Sequence, residues 1–184
     1  MRAYCLIILI FLSNIIIAGD HKGNGANVII CEQEDGEKEV LFLDYIEAKI
    51  RRDMIIYVGE EDRPYIEILH DLISKIEQID YARAKLYRRY LKSFNSEVKF
   101  ITEYTLENTI TNSLLACKND KGTIQQLVIQ ITPRFKEDKR YFIDKNLWNQ
   151  LSQKEKAGVI LHEFIMREIG YKRDPEAVRY LTSL

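Results

Sequence analysis

The spacing of apolar and polar positions predicts a chain in which short strands are interleaved with helices. Apolar runs at 28–31 and 140–143 are typical of strands, and residues 55–58 suit a short strand or a buried connection. Helical spacing of apolar residues predicts a helix over 42–52. Residues 123–131 alternate as in a half-buried strand, with an apolar face made of Leu127, Ile129 and Ile131.

Two further segments predict a helical hairpin that turns around residues 78–81. The first helix begins near Pro64, with Asp62 as its N-cap, and its apolar stripe consists of Tyr65, Ile68, Leu69, Leu72, Ile73, Ile76 and Ile79. The second helix, over about 82–94, places four basic residues on one face: Lys85, Arg88, Arg89 and Lys92. Such a face suits anionic lipid headgroups, lipopolysaccharide or nucleic acid, or it is a solvated surface that pairs partly with Glu77 or with acids at 60–62.

Residues 152–170, SQKEKAGVILHEFIMREIG, form the longest strongly patterned segment. Ser152 and Glu155 fit a capping box, and Gly170 suits the helix end. Apolar side chains cover two sides of the helical wheel, which predicts a helix buried between layers. The whole pattern therefore predicts an α+β fold: a single domain with a small, mostly antiparallel sheet packed on the helical hairpin and on this buried C-terminal helix.

Three residues of this helix are candidates for chemistry: His162, Glu163 and Glu168. The sequence HEFIM resembles the start of the zincin motif H-E-x-x-H, in which two histidines bind zinc and the glutamate acts as general base. Met166 occupies the second histidine position, and a thioether is a poor zinc ligand, so we predict no metal and no cofactor. A structural role for the pair is expected, with a divergent zincin-like hydrolase using His162 and Glu163 as the alternative.

Glu168 lies about 120° from His162 around the helix, so it cannot replace the missing ligand. We expect it to form a salt bridge or to line a ligand pocket, and the candidate partners are Arg140, Lys172, Arg173 and Arg179. The spacing of Glu163 and Arg167 is that of a helical ion pair. Together these helix residues are predicted to form a polar knot that ties the final helices to the sheet: His162, Glu163, Arg167 and Glu168.

The first eighteen residues have the layout of a signal peptide, with Arg2 before an apolar run that ends at Ala18. The run is shorter than the roughly 20 residues that span a bilayer, which favours cleavage over a retained anchor. We expect 19–25 to be a flexible lead and 26–184 a single domain without a transmembrane segment. These features predict a periplasmic or secreted protein.

Two cysteines remain after this cleavage, Cys31 and Cys117, and in an exported chain they predict one disulfide bond. Two buried thiols or a metal pair are the alternatives. The chain has 27 basic and 28 acidic residues, and the resulting net charge of −1 argues against a general polyanion binder and against nucleic acid as the partner.

The stretch LHEFIMRE, with RYFIDKNLW before it and AVRYLTSL after it, resembles an uncharacterised group of exported bacterial proteins that carry an L-H-E-x-x-x-R-E helix. The resemblance covers most of the mature chain and implies export and a joint role for the four polar residues of this helix, but no activity. The sequence thus predicts an exported binding or interaction module with an unknown partner. The alternatives are the hydrolase and an anionic envelope-binding protein that uses the basic face at 83–92.

Overall fold

The computed structural model describes residues 25–57, 62–103, 117, 122–170 and 175–182. The described strands are β1 (Asn27–Glu32), β2 (Lys38–Phe42), β3 (Val98–Ile101), β4 (Gly122–Gln126), β5 (Val128–Gln130) and β6 (Tyr141–Asp144). The helices are α1 (Leu43–Arg52), α2 (Tyr65–Ile79), α3 (Tyr81–Glu97), α4 (Lys145–Gln150), α5 (Gln153–Ile169) and α6 (Pro175–Thr182). The predicted single α+β domain is confirmed, while the predicted signal peptide lies outside the described residues.

The strands form two three-stranded sheets rather than one. The first has the order β2-β1-β4 and is antiparallel, and the second has the order β3-β6-β5 with β3 parallel to β6. The chain passes from one sheet to the other at Leu127, where the N–H groups of Leu127 and Val128 both donate to the Ala26 carbonyl at 2.9 and 3.1 Å. Because of this irregularity, the buried face beyond Leu127 is not the predicted one of Ile129 and Ile131. Val128 and Gln130 are buried instead, and Ile131 is 39% exposed.

Helix α1 confirms the helix predicted over 42–52, but its buried face includes carboxylates as well as the apolar Leu43. Asp44 and Glu47 are buried, whereas Ile50 is 43% exposed. The carboxylates are turned inward because α5 and α6 supply their partners: His162 lies against Asp44, and Arg179 donates to Glu47 at 2.7 Å.

The predicted helical hairpin is confirmed, with only Asp80 between α2 and α3. Asp80 caps α3 by accepting a hydrogen bond from the Arg83 N–H at 2.9 Å. The predicted Asp62 cap is wrong, since α2 starts after Pro64 and no side chain caps it. The apolar stripe of α2 packs on the core through Ile68, Leu69 and Ile73. It extends past the core at Ile79, which is 92% exposed.

Helix α5 is the buried core helix that the sequence predicts. Ser152 and Glu155 form the capping box, and Gly170 ends the helix with a φ of 73°. Every residue from Ala157 to Met166 is buried, and the helix packs on α2, α6 and β2. A helix covered on all sides in this way can place polar groups only where the surrounding elements provide partners.

Cys31 of β1 and Cys117 form the predicted disulfide, with Cα atoms 5.4 Å apart. It belongs to a small second core with Ile29 and Leu43. Gly122 lies beneath the disulfide and leaves no room for a side chain, since a Cβ at this position would be 2.7 Å from the Cys117 Sγ. The sequence also predicts a strand over 113–117 and a turn at 119–122, and most of both lies outside the described residues.

Residues 53–57 form neither the strand nor the buried connection predicted for 55–58. Ile55 and Tyr57 are 86% and 79% exposed, and only Ile56 packs against the core. Gly25, assigned from sequence to the flexible lead, is instead buried, and a Cβ there would lie 2.0 Å from the Val128 carbonyl oxygen. Within the described ranges, no helix combines the length and the apolar character needed to cross a membrane.

Candidate functional site

His162 lies in the interior, with 4% of its surface exposed. Its Nδ1 is 2.7 Å from an Asp44 oxygen, and its ring meets Phe42 edge-on. Burial by itself lowers the pKa of His162, but the adjacent Asp44 carboxylate opposes this and raises the pKa above its usual value. The imidazole is therefore the buried hydrogen-bond partner of Asp44, and the second Asp44 oxygen has no hydrogen-bond partner among the described residues.

Glu163 is 1% exposed and points toward the strands. One carboxylate oxygen accepts from the Ala26 N–H, and the other accepts from the Gln130 side-chain amide, each at 2.8 Å. Burial raises the pKa of Glu163 despite the opposing influence of His162 and of these hydrogen bonds. The helical ion pair predicted with Arg167 is wrong, because Glu163 is already satisfied on the sheet side.

Arg167 and Glu168 connect α5 to α3 instead. The Arg167 guanidinium donates to Glu97 at 2.8 Å and lies over the Tyr90 ring at 4.0 Å. Glu168 accepts from Arg83 at 3.0 Å and from the Tyr87 hydroxyl.

The salt bridge predicted for Glu168 is present, but with Arg83 rather than the basic residues proposed from sequence. Of those, Arg140 donates to Glu97 and Arg179 to Glu47. The other two, Lys172 and Arg173, lie outside the described residues.

The four polar residues of α5 therefore do not converge on one set of partners. His162 and Glu163 hold α5 to α1, to the start of β1 and to β5, while Arg167 and Glu168 hold it to α3. In the described part of the chain, no group of three or more His, Cys, Asp or Glu side chains is placed to hold a metal ion. The arrangement positions the surrounding elements, and Glu168 in particular fixes the helix that carries the basic face.

The basic face of α3 divides into one paired and three outward-facing residues. Arg88 forms a two-point ion pair with Glu77 of α2, both contacts being 2.5 Å, as the sequence suggested for part of this face. Lys85, Arg89 and Lys92 are exposed, and no described acidic side chain pairs with them. These three cations are accessible on the outward side of α3.

Sequence reasoning missed Asp44 and Gln130, the partners of His162 and Glu163. A weak signal for Asp44 exists, because Asp44, Glu47 and Ala48 share one side of α1 and a small residue on that side allows close packing. No local signal marks Gln130, which occupies a strand position that its neighbours predict to be outward-facing.

Comparison of the chain with protein-family models, with curated proteins and with solved structures finds no match.

Proposed function

We propose that this is an exported binding module whose binding surface is the outward face of α3, directed at an anionic component of the cell envelope. The observation that carries the proposal is the exposed set Lys85, Arg89 and Lys92, which no described acidic residue neutralises. A cation that forms no ion pair within the protein retains its full electrostatic attraction for an external anion.

The nearly neutral net charge does not oppose this proposal, because the charges are distributed unevenly. Helix α3 contains five basic residues and one acidic residue, whereas residues 32–39 contain five acidic residues and one basic residue. At physiological salt, charges separated by more than the Debye length of about 8 Å are largely screened from one another. A ligand bound at the basic face is therefore attracted by the nearby cations and is little affected by acidic residues elsewhere on the protein.

Export is supported by two independent features. The N-terminal eighteen residues have a signal-peptide pattern, and Cys31 is bonded to Cys117, a linkage that persists mainly in oxidising compartments. An envelope component is the kind of anion that such a protein meets after export.

Charge reversal within the basic face tests the proposal. The double variant Lys85→Glu and Arg89→Glu should lose roughly tenfold or more of the affinity for dextran sulfate at low salt, since about 1 kcal/mol is lost for each cation near a polyanion. The matched control reverses two exposed lysines elsewhere, Lys136 and Lys145, with the same change in net charge. Equal affinity in both double variants, or no binding by the wild type, would overturn the proposal.

Arg88 should not be used for this test, although it belongs to the same face. Its ion pair with Glu77 joins α3 to α2. Reversing its charge would place two carboxylates together inside the hairpin, so that a binding defect would report damage to the hairpin rather than loss of a ligand contact.

The hydrolase alternative receives no support from the geometry of His162 and Glu163. Both side chains are committed to internal hydrogen bonds and are at most 4% exposed. Elemental analysis of the purified protein addresses it directly: zinc bound at one equivalent and lost in His162→Ala would restore the hydrolase as the leading function.

A further inference from the structure

The tip of the α2–α3 hairpin exposes apolar side chains where a soluble protein would ordinarily place polar ones. Ile79 is 92% exposed and Tyr81 is 65% exposed, and Ala82 beside them is exposed as well. Among the described residues, no core contact explains Ile79, which continues the apolar stripe of α2 past the end of the core. An apolar contact with something outside the chain would explain it.

The apolar tip and the basic face belong to one surface. On α3, Tyr81 is four residues before Lys85 and Lys85 is four residues before Arg89, so these side chains follow one another along one side of the helix. On α2, the exposed Lys75 precedes Ile79 by the same interval. Ile79 and Tyr81 thus each have an exposed lysine one turn further from the tip.

The acidic residues near the tip are held by internal contacts. Asp80 caps α3 and lies 3.8 Å from Arg83, Glu77 is paired with Arg88, and Glu168 is paired with Arg83. The surface that remains available is therefore apolar at the end of the hairpin and cationic on its sides.

We infer that the hairpin tip docks on an anionic lipid bilayer, with Ile79 and Tyr81 entering the interface between headgroups and acyl chains and with Lys75, Lys85 and Arg89 contacting the anionic headgroups. An aromatic residue with a polar end suits the interface between headgroups and acyl chains, and basic residues beside it strengthen binding to anionic lipids. This inference rests on the proposed function and narrows the anionic component to a membrane surface. A soluble polyanion would use the cations but would leave the apolar tip without a role.

The contacts of α5 keep this surface in a fixed orientation. Glu168 accepts from both Arg83 and Tyr87 in the first two turns of α3, and Arg167 lies over Tyr90 in the next turn. The C-terminal end of the buried helix thus braces the hairpin just behind its tip, so docking requires little ordering of the protein.

Binding to phosphatidylethanolamine vesicles with and without phosphatidylglycerol tests the inference. The variant Ile79→Ser with Tyr81→Ser should bind the anionic vesicles roughly tenfold or more weakly, because two apolar side chains no longer leave water. It should bind dextran sulfate as the wild type does. The matched control, Ile55→Ser with Tyr57→Ser, removes the same pair of residue types from an exposed segment outside the hairpin and should bind the vesicles normally.

Insertion is measured separately with Tyr81→Trp and lipids brominated on their acyl chains. The introduced indole should be quenched on anionic vesicles, while Trp148, which is 6% exposed in the core, gives the unquenched background in the wild type. Normal vesicle binding by the tip variant, or an unquenched Trp at 81, overturns the inference. So does a wild type that binds dextran sulfate and not anionic vesicles, an outcome that leaves the proposed function intact. A wild type that binds neither dextran sulfate nor anionic vesicles overturns both the inference and the proposed function.

Discussion

A histidine and an aspartate that lie 118 residues apart in the chain form a buried side-chain contact of 2.7 Å. His162 and Asp44 are 5% and 0% exposed at their side chains, so water does little to screen them. Burial of this kind is costly for either group alone and is tolerated because each neutralises the other. The stability of the fold should therefore depend on pH through this pair.

The raised pKa of His162 sets the direction of that dependence. A cation whose pKa is higher in the folded state stabilises the fold fully below the unfolded value of about 6.5, and this contribution is lost as the pH rises through the folded value. We expect His162→Gln to lower the free energy of unfolding by about 3–5 kcal/mol at about pH 5.5 and by less at about pH 8.5. Urea unfolding at both pH values measures the difference, and a loss that is constant or larger at the higher pH would contradict it.

Gly122 shows a second constraint at the residue scale, this time steric. It pairs with Cys31 across β1 and β4, and the disulfide lies directly over it. A methyl group in Gly122→Ala would meet the Cys117 Sγ at 2.7 Å and the Ile29 Cγ2 at 3.2 Å.

We expect Gly122→Ala to destabilise the oxidised protein by about 1–3 kcal/mol, the usual cost of overpacking a core. Thermal unfolding of the oxidised protein measures the loss. Thr123→Ala, at the exposed neighbouring position in the same strand, is the control and should change stability much less. Equal stabilities of the two variants would show that the strand moves to accommodate the methyl group.

At the scale of elements, the capping box at the N-terminus of α5 also connects this helix to β2. The second oxygen of Glu155 accepts from the N–H of Phe42 at 2.9 Å, which joins the helix start to the end of β2. The same side chain accepts from the N–H of Ser152 at 3.0 Å. A motif that is local in sequence therefore also makes a long-range connection.

Two substitutions separate these roles of the cap. Ser152→Ala should cost about 1 kcal/mol, the usual value for losing an N-cap side chain. Glu155→Ala should cost about 2–3 kcal/mol, because it also leaves the Phe42 N–H without an acceptor. Chemical denaturation of both variants gives the comparison, and equal losses would mean that the contact with β2 contributes nothing.

At the scale of the whole molecule, the disulfide closes a loop that contains both helices of the hairpin. It joins residues separated by 86 positions, and a loop of this size contributes about 4–5 kcal/mol on the chain-entropy model. The double variant Cys31→Ser with Cys117→Ser should lose this amount of unfolding free energy. Dithiothreitol should destabilise the wild type to the same degree and leave the double variant unchanged, whereas an effect on both would point to a cause other than this bond.

Much of the fold could be predicted from the sequence because the relevant signals are local. Apolar periodicity identified the hairpin and α5, and the Ser152 and Glu155 side chains marked the start of α5 correctly. The disulfide was predictable by counting cysteines in a chain with a signal-peptide pattern. Each of these features depends on residues within a few turns of one another or on composition.

The candidate site was predicted less well because its partners come from distant segments. The sequence identified His162, Glu163, Arg167 and Glu168 as a group, whereas in the fold the first two bind α1 and the strands and the last two bind α3. The exposure of Ile79 could not be predicted either, since periodicity assigns this residue to the apolar stripe but does not show where the core ends. Only the packed structure distinguishes an apolar residue in the core from one at the surface.

The sequence by itself thus determined the hairpin helices, α5 and its capping box, the cysteine pair and the basic residues of α3, because backbone hydrogen bonding and helical spacing are decided over short distances. The tertiary structure decided the division into two sheets at Leu127, the burial of Asp44 and the outward position of Ile79 and Tyr81. These depend on which surfaces meet when the elements pack. Burial then determines whether a charged group must find a partner inside the protein or remains available to bind one outside it.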